Sequence, residues 1–394
     1  MKKIVLLYFL IVTIVACNEK NDKKSSNNSK KASVKSAGLN LVDTLVFQLD
    51  NKTGYNETFQ IETVGKNEFL GTLNRDNNEY ILYSLKNFKP YKYIKFDNVG
   101  PSGVGEARSV RVHNFDSIFV VRYLTNILYL LDSSSTVKNK WTLQYANTGE
   151  LIFNISSGFR TRLEFLNNKV YLIKIPDAKV FTKEYWNNVW GIVFNIKQNK
   201  IYNSTGIFPD VYKQGISYGG FNTDVCRIVT QDGLSVYGFS LDKHLYVYND
   251  SALIKKVSIP SKYVSDDVPT PQKKLTGYNY MDDWLYEIQR GSYRWMAYDK
   301  YNKVIYRLVL HATDPYDVNG NRNKFWDKPF SIQIIDSTFN LIGEENFPAK
   351  QYDYRNILPT KNGLLISLCH NDNPILEENK LKLALFRFSY KNEN

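Results

Sequence analysis

Little of this chain of 394 residues is cysteine or histidine: there are three of the first and four of the second. With Cys17 set aside for the reason given below, Cys226 and Cys369 lie far apart, each in an apolar run, and read as buried free thiols. Neither a disulfide scaffold nor a structural zinc site is indicated. The chain also lacks a run of the roughly twenty apolar residues that a spanning helix needs. It lacks sustained i, i+3, i+4 periodicity, which excludes a helical fold. The formal net charge of +12 is not concentrated in the part that folds, because Lys2, Lys3 and six lysines between residues 20 and 35, less Glu19 and Asp22, supply half of it. No contiguous Lys/Arg run remains, so nucleic acid is not an expected partner.

What is present begins with an address. Lys2 and Lys3 precede an apolar stretch, residues 4–15, which ends at Ala16-Cys17. A basic start, a short apolar stretch and a small residue before the cut form an export signal. The small residues before Cys17 resemble the lipobox of bacterial lipoproteins, in which the cysteine is acylated and becomes the first residue of the mature chain. The expected organisation is a signal peptide over 1–16, an acylated Cys17 and polar tether over 17–40, and a folded domain over 41–394. Residues 18–36 are mostly Asn, Lys and Ser and cannot bury enough surface to fold. A tether of about twenty residues reaches roughly 25 Å from the lipid headgroups. Acyl chains would hold the protein on a membrane, and Asn18 after the cysteine favours the outer membrane by the usual sorting pattern.

The folded part repeats. Pairs of apolar and aromatic strands joined by tight polar turns recur, as in 80–85 with 91–96 and 330–335 with 339–347, each preceded by another pair such as 59–64 with 69–73. Six units of four strands, a to d, account for the chain, except that the last unit lacks its d strand. The strand-like segment 44–49 has no unit of its own and can supply it. The expected fold is all-β: a six-bladed β-propeller closed by an N-terminal strand that completes the last blade.

Several features together carry a family resemblance: the lipobox, the tether, the six units, the loop Gly100-Pro101-Ser102-Gly103-Val104-Gly105-Glu106, and the hairpin from Tyr298-Asp299-Lys300-Tyr301 to Val304-Ile305-Tyr306-Arg307. The chain resembles Bacteroidota lipoproteins of six-bladed propeller type whose domain is of unknown function (4221 type). That resemblance implies a fold and a cell-envelope address. It brings no catalytic residues.

Loop lengths suggest where a site lies. The a-to-b and c-to-d turns are short, whereas long connections fall at 176–188, 204–224, 260–292, 312–328 and 371–380. In antiparallel blades the b-to-c and d-to-a connections share one face, and loops on a rigid scaffold carry function. Candidate ligand-binding residues on that face are Tyr278, Tyr280, Asp282, Asp283, Trp284 and Arg290, since aromatic planes beside charged groups suit sugars, peptides or aromatic ligands. Two His/Asp pairs, His311 with Asp314 and His370 with Asp372, end adjacent b strands and form a second candidate set. Asp314, Asp317, Asn319 and Asn321 offer oxygen donors, but Gly320 is at the wrong offset for an EF-hand. Residues 215–219 fit G-x-S-x-G without the helix that a nucleophile elbow requires. The Gly100–Gly105 loop lacks the ending of a phosphate-binding loop. No cofactor is implied. The expected function is a non-catalytic ligand- or protein-binding module of the envelope. The alternative is an envelope enzyme that cleaves glycans or peptides with His311, His370 and nearby aspartates.

Overall fold

The first strand, β1 (Ala37–Gln48), pairs with the last, β24 (Lys380–Tyr390), in antiparallel register from Ala37 opposite Tyr390 to Gln48 opposite Lys380. With β22 (Asp353–Thr360) and β23 (Gly363–Ser367) they form a sheet ordered β1-β24-β23-β22. The expected closure by residues 44–49 is therefore present, and pairing starts at Ala37, ahead of the boundary at residue 41 read from composition. Phe47 is wholly buried against Leu381 and Leu383, so the closure is apolar as well as hydrogen-bonded. Burying one such side chain contributes roughly 1.5–3 kcal/mol.

Five further sheets of four strands follow in chain order. They are β2 (Phe59–Val64) to β5 (Pro90–Lys95), with β3 (Asn67–Asn74) and β4 (Glu79–Ser84); and β6 (Ala107–Asn114) to β9 (Val137–Thr142), with β7 (Ser117–Arg122) and β8 (Ile127–Leu131). Next come β10 (Glu164–Leu166) to β13 (Lys200–Ile207), with β11 (Lys169–Ile173) and β12 (Val189–Asn195), and β14 (Val225–Val229) to β17 (Ala252–Ser258), with β15 (Ser235–Phe239) and β16 (Asp242–Asn249). The fifth runs from β18 (Ser292–Asp299) through β19 (Val304–Leu310) and β20 (Phe330–Ile335) to β21 (Leu341–Phe347). Strands make up 53% and helices 7% of this six-bladed β-propeller. The computed structural model describes residues 36–391 other than 123–124, 146–147, 150, 153–154, 156–159, 176–177, 179–181, 214–222 and 266–279. Cys17, Tyr278 and the 215–219 segment lie outside the described residues.

Burial follows the radius of the ring. The middle strands β4 and β19 are buried at every position, which explains their unbroken apolar runs, while the outer strand β17 is exposed at nearly every position and carries Lys255 and Lys256. The c-to-d turns of the second and fifth blades repeat one device. Asp132 accepts from the backbone N–H of Ser134 (2.9 Å) and Thr136 (3.1 Å), and Asp336 from Thr338 (2.9 Å) and Asn340 (2.8 Å). Polar side chains also fasten blade to blade. Asn356 of β22 accepts from Phe59 N (2.7 Å) and donates to Glu57 O (2.8 Å), joining the sixth blade to the first. Gln60 reaches Val110 O (2.7 Å), and Arg307 reaches Asp242 O (2.7 Å) and Lys243 O (2.9 Å). Cys226 and Cys369 are buried free thiols, and burial pushes Cys226 up to about 12.

Two features depart from expectation. Short helices occur inside the long connections: α1 (Lys183–Asn187), capped by Thr182 Oγ1 accepting from Tyr185 N (3.3 Å), and α2 (Tyr280–Ile288). Each is too short to show a helical period, and tertiary burial of Tyr185 and Trp186, or of Trp284 and Ile288, holds it in place. The b-to-c connections are also uneven. Those of the first, second and fourth blades span only 75–78, 123–126 and 240–241, so the elaboration of that face comes from the third, fifth and sixth blades and from the d-to-a connections.

Candidate functional site

Every inner strand is entered from a d-to-a connection, so β2, β6, β10, β14, β18 and β22 run the same way along the ring axis. Their first residues face the long-loop end of the channel and their last residues the short-turn end. A cavity lies at each end. The long-loop cavity, about 520 Å³, is bounded by Phe59 and Gln60 of β2, Arg108 and Ser109 of β6, residues 160–163 ahead of β10, and Asp224 with Val225. The short-turn cavity, about 360 Å³, draws on inner strands of all six blades, from Ile61 and Arg111 through Glu164, Arg227 and Met296 to Pro359.

Local packing explains the aromatic wall of the larger cavity. Thr182 starts α1, and the helix folds Tyr185 and Trp186 onto Phe208 and Tyr212, with ring centroids 4.7 Å apart for Trp186 and Phe208. Trp190, two residues into β12, completes this cluster and lines the cavity together with Tyr185. Only 7% of Trp190 is exposed, and its Nε1–H has no acceptor among the described residues. A buried indole donor left unspent is a place for a ligand acceptor to bind.

Arginine dominates the charged wall. Lysines outnumber arginines 38 to 13 in the chain, yet the cationic residues of the two cavities are Arg75, Arg108, Arg111, Arg160, Arg162 and Arg227, joined by one lysine, Lys300. Arg111 bridges Glu62 (3.2 Å) and Glu164 (3.1 Å) and donates to Ile61 O (3.0 Å). Burial works against its charge, but Glu164 and Glu62 outweigh that and hold its pKa above the ordinary value. Burial raises Glu62 in turn, opposed chiefly by Arg111 and Tyr80. Arg160 pairs with Asp224 at 2.5 Å. Arg162, by contrast, donates to Phe59 O (2.9 Å), and Arg227 donates to Arg162 O and Leu172 O. Burial lowers both, Arg162 to about 10.

The residues singled out from sequence lie outside both cavities, insofar as they are described. Tyr280 opens α2 and is exposed, and Asp282 and Asp283 stand half-buried in its first turn. Trp284 is buried, donating Nε1–H to Asn323 O (2.9 Å), and Arg290 stacks over Tyr286 at 4.0 Å. His311 lies flat against Tyr263, with centroids 3.6 Å apart, and burial followed by Lys328 and Lys262 depresses it to about 4. Asp314 is exposed, and its carbonyl accepts from Asn323 Nδ2 (2.9 Å).

His370 and Asp372 do come together, with Asp327 as a third member, their ligand atoms all within 4.8 Å of one another. The ring, however, is already engaged. Nδ1 accepts from Asp372 N (3.1 Å), so Nε2 carries the proton that faces Trp326 O (3.1 Å) and Asp327 Oδ1 (3.3 Å). No lone pair is left for a metal, and the arrangement ties the b-to-c loop of the sixth blade to that of the fifth. Asp317 likewise spends Oδ1 on Asn319 N (2.9 Å) and Asn321 N (2.8 Å).

The arginine wall was missed in the sequence reading, although a signal for it exists. Arg111, Arg227, Arg294 and Arg355 each stand on an a strand, and Arg162 just ahead of one. The recurrence becomes visible once strands are aligned by blade rather than searched for contiguous charge.

The model of one family, a domain of unknown function (DUF4221), matches residues 36–346. A crystal structure of a DUF4221 member from Bacteroides vulgatus superposes with a TM-score of 0.74 at 20% identity, covering 91% of this chain and 100% of that one. A Bacteroides fragilis protein described as exported superposes with a TM-score of 0.54 at 12% identity, covering 90% of this chain and 96% of that one. No curated protein matches the sequence.

Proposed function

The chain belongs to the DUF4221 family, and we propose that its propeller is a non-catalytic binding module of the cell envelope that takes a small polar ligand at the long-loop mouth of its channel. One observation carries this reading: a cavity of about 520 Å³ whose wall holds the unspent Trp190 donor. The volume falls in the range of small-molecule sites, roughly 300–1,000 Å³. Tyr185 and Trp190 offer flat faces, and Arg108, Arg160 and Asp224 offer charged edges, a set suited to sugars and peptides.

The address rests on the Lys2-Lys3 start, the apolar 4–15 stretch and Cys17, and a Bacteroides fragilis protein described as exported shares the fold. In this reading Cys17 is acylated, and the anchor holds the domain at the outer membrane. Mass spectrometry of detergent-extracted protein should find acyl mass on Cys17, lost in Cys17→Ala. An unmodified cysteine in a processed, exported chain would remove the anchor.

Titrating the folded domain against a glycan and peptide panel, read by calorimetry, tests the binding reading. A ligand whose affinity falls about tenfold in Trp190→Phe is expected, because that change deletes the donor and keeps a ring. Ligands that bind both forms alike would move the site elsewhere. The two cavities lend the enzyme alternative nothing, since His370 is closed in its own hydrogen bonds and His311, whose buried Nε2 has no partner among the described residues, stacks on Tyr263 outside both cavities. Cleavage of a panel member, abolished by His370→Ala, would nonetheless overturn the binding reading.

A further inference from the structure

The short-turn end of the channel carries an imbalance of charge that the ligand proposed at the other mouth does not use. Arg111, Arg160, Arg162, Arg227 and Lys300 line this cavity, and Arg160 pairs with Asp224. Arg111 is answered by Glu62 and Glu164. Among the described residues Arg162 and Arg227 donate only to backbone carbonyls, Arg162 also lies over the Trp295 ring, and no carboxylate lies within 4.0 Å of either. Arg227 is 3% exposed, and its Nε has no acceptor among the described residues. Lys300 donates to Thr63 Oγ1 (3.1 Å).

A guanidinium buried without a counter-charge is costly, and carbonyl dipoles offset only part of that cost. The cavity thus holds donors in search of an anion. Arginine forks match planar oxyanions two bonds at a time, which a lysine wall would not do. We propose that this chamber binds the carboxylate of a small amphipathic monoacid between Arg162, Arg227 and Lys300.

Two observations narrow the anion. Five cations, Arg111, Arg160, Arg162, Arg227 and Lys300, stand against four carboxylates in or beside the wall: Glu62, Glu164, Asp224 paired with Arg160, and Glu68, the last accepting from Tyr301 Oη (2.6 Å) and Lys361 N (3.1 Å). One positive charge is left over, which a monoanion balances and a phosphate dianion overshoots. The uncharged wall mixes Thr63, Thr230 and Gln231 with apolar and aromatic side chains, among which Phe165, Met296 and Tyr298 can cover a hydrophobic body. The hairpin motif from Tyr298 to Tyr301 sets this end of the site. Asp299 accepts from Tyr301 N (2.9 Å) and Asn302 N (3.0 Å), fixing the turn that presents Lys300 and Tyr301 to the cavity.

The test titrates the folded domain, in chloride-free buffer, with 4-iodobenzoate, 4-iodobenzamide and 4-iodophenyl phosphate. Lys300→Met is the diagnostic variant, because Lys300 is exposed on a turn, lines only this cavity and can change without unfolding the ring. Lys138→Met, on an outer strand, is the charge-matched control. The carboxylate should bind, the amide should not, Lys300→Met should weaken binding about tenfold, and Lys138→Met should leave it unchanged. Iodine anomalous scattering from a soaked crystal should fall between Arg162 and Arg227. Absence of carboxylate binding at about 5 mM, equal binding of the amide, or an iodine position outside the channel would overturn the proposal. Tighter binding of the phosphate would overturn the assignment to a carboxylate. Loss of glycan or peptide binding at the long-loop mouth would show in Trp190→Phe instead, so the two readings fail separately.

Discussion

The His370 cluster and the channel wall look alike in composition and differ in what is left unspent. Around His370, an imidazole and two carboxylates lie within 4.8 Å, and the ring satisfies itself on Asp372 N, Trp326 O and Asp327. Along the channel, Arg227 Nε and Trp190 Nε1 are buried with nothing to donate to among the described residues. At His370 the residue types that suggest catalysis are closed into structure, whereas Arg227 and Trp190, which look structural, keep binding capacity. Capacity, rather than residue type, separates a site from a strut.

That contrast predicts a reversal of stability and binding effects. His370→Ala should cost the most stability, roughly 3 kcal/mol in denaturant unfolding, because it strands buried Asp327 and Trp326 O, while ligand binding in the channel persists. A loss of channel binding in that variant would break the comparison. Trp190→Phe should lower affinity at the long-loop mouth by about 1.4 kcal/mol with little change in stability. Arg227→Met sharpens the contrast further. It removes a buried cation that has no counter-charge, so it should cost only about 1 kcal/mol of stability despite three lost carbonyl contacts. A cost as large as that of His370→Ala would mean that Arg227 is a strut after all.

A further effect is confined to acid pH. The folded pKa of His311, about 4, lies below the unfolded value of 6.5, so from pH 6.5 downward the unfolded chain takes up a proton that the folded ring refuses. Its contribution is therefore complete above pH 6.5 and is lost as pH falls towards 4. His311→Phe keeps the stack on Tyr263 and should flatten the stability profile in that window. An unchanged profile would remove His311 from the account.

Much of the fold was legible because strand pairs and their turns are local. Residues 44–49 announced themselves as a strand without a unit, and the ring's only open position was the one they fill. The helices α1 and α2 were not legible, since five and nine residues do not complete a periodic signal. The His/Asp pairs misled because spacing cannot show that His370 Nδ1 already accepts from Asp372 N, two residues on. The arginines were visible but scattered, and only ring geometry gathers Arg111, Arg162 and Arg227 around one cavity.

Bromide offers the most direct test of the claim that unspent donors sit in the channel. Anomalous scattering from a crystal soaked in sodium bromide should place the anion beside Arg162 and Arg227 and leave the Asp327, His370 and Asp372 cluster empty. Bromide confined to outer-surface lysines, with none in the channel, would contradict it.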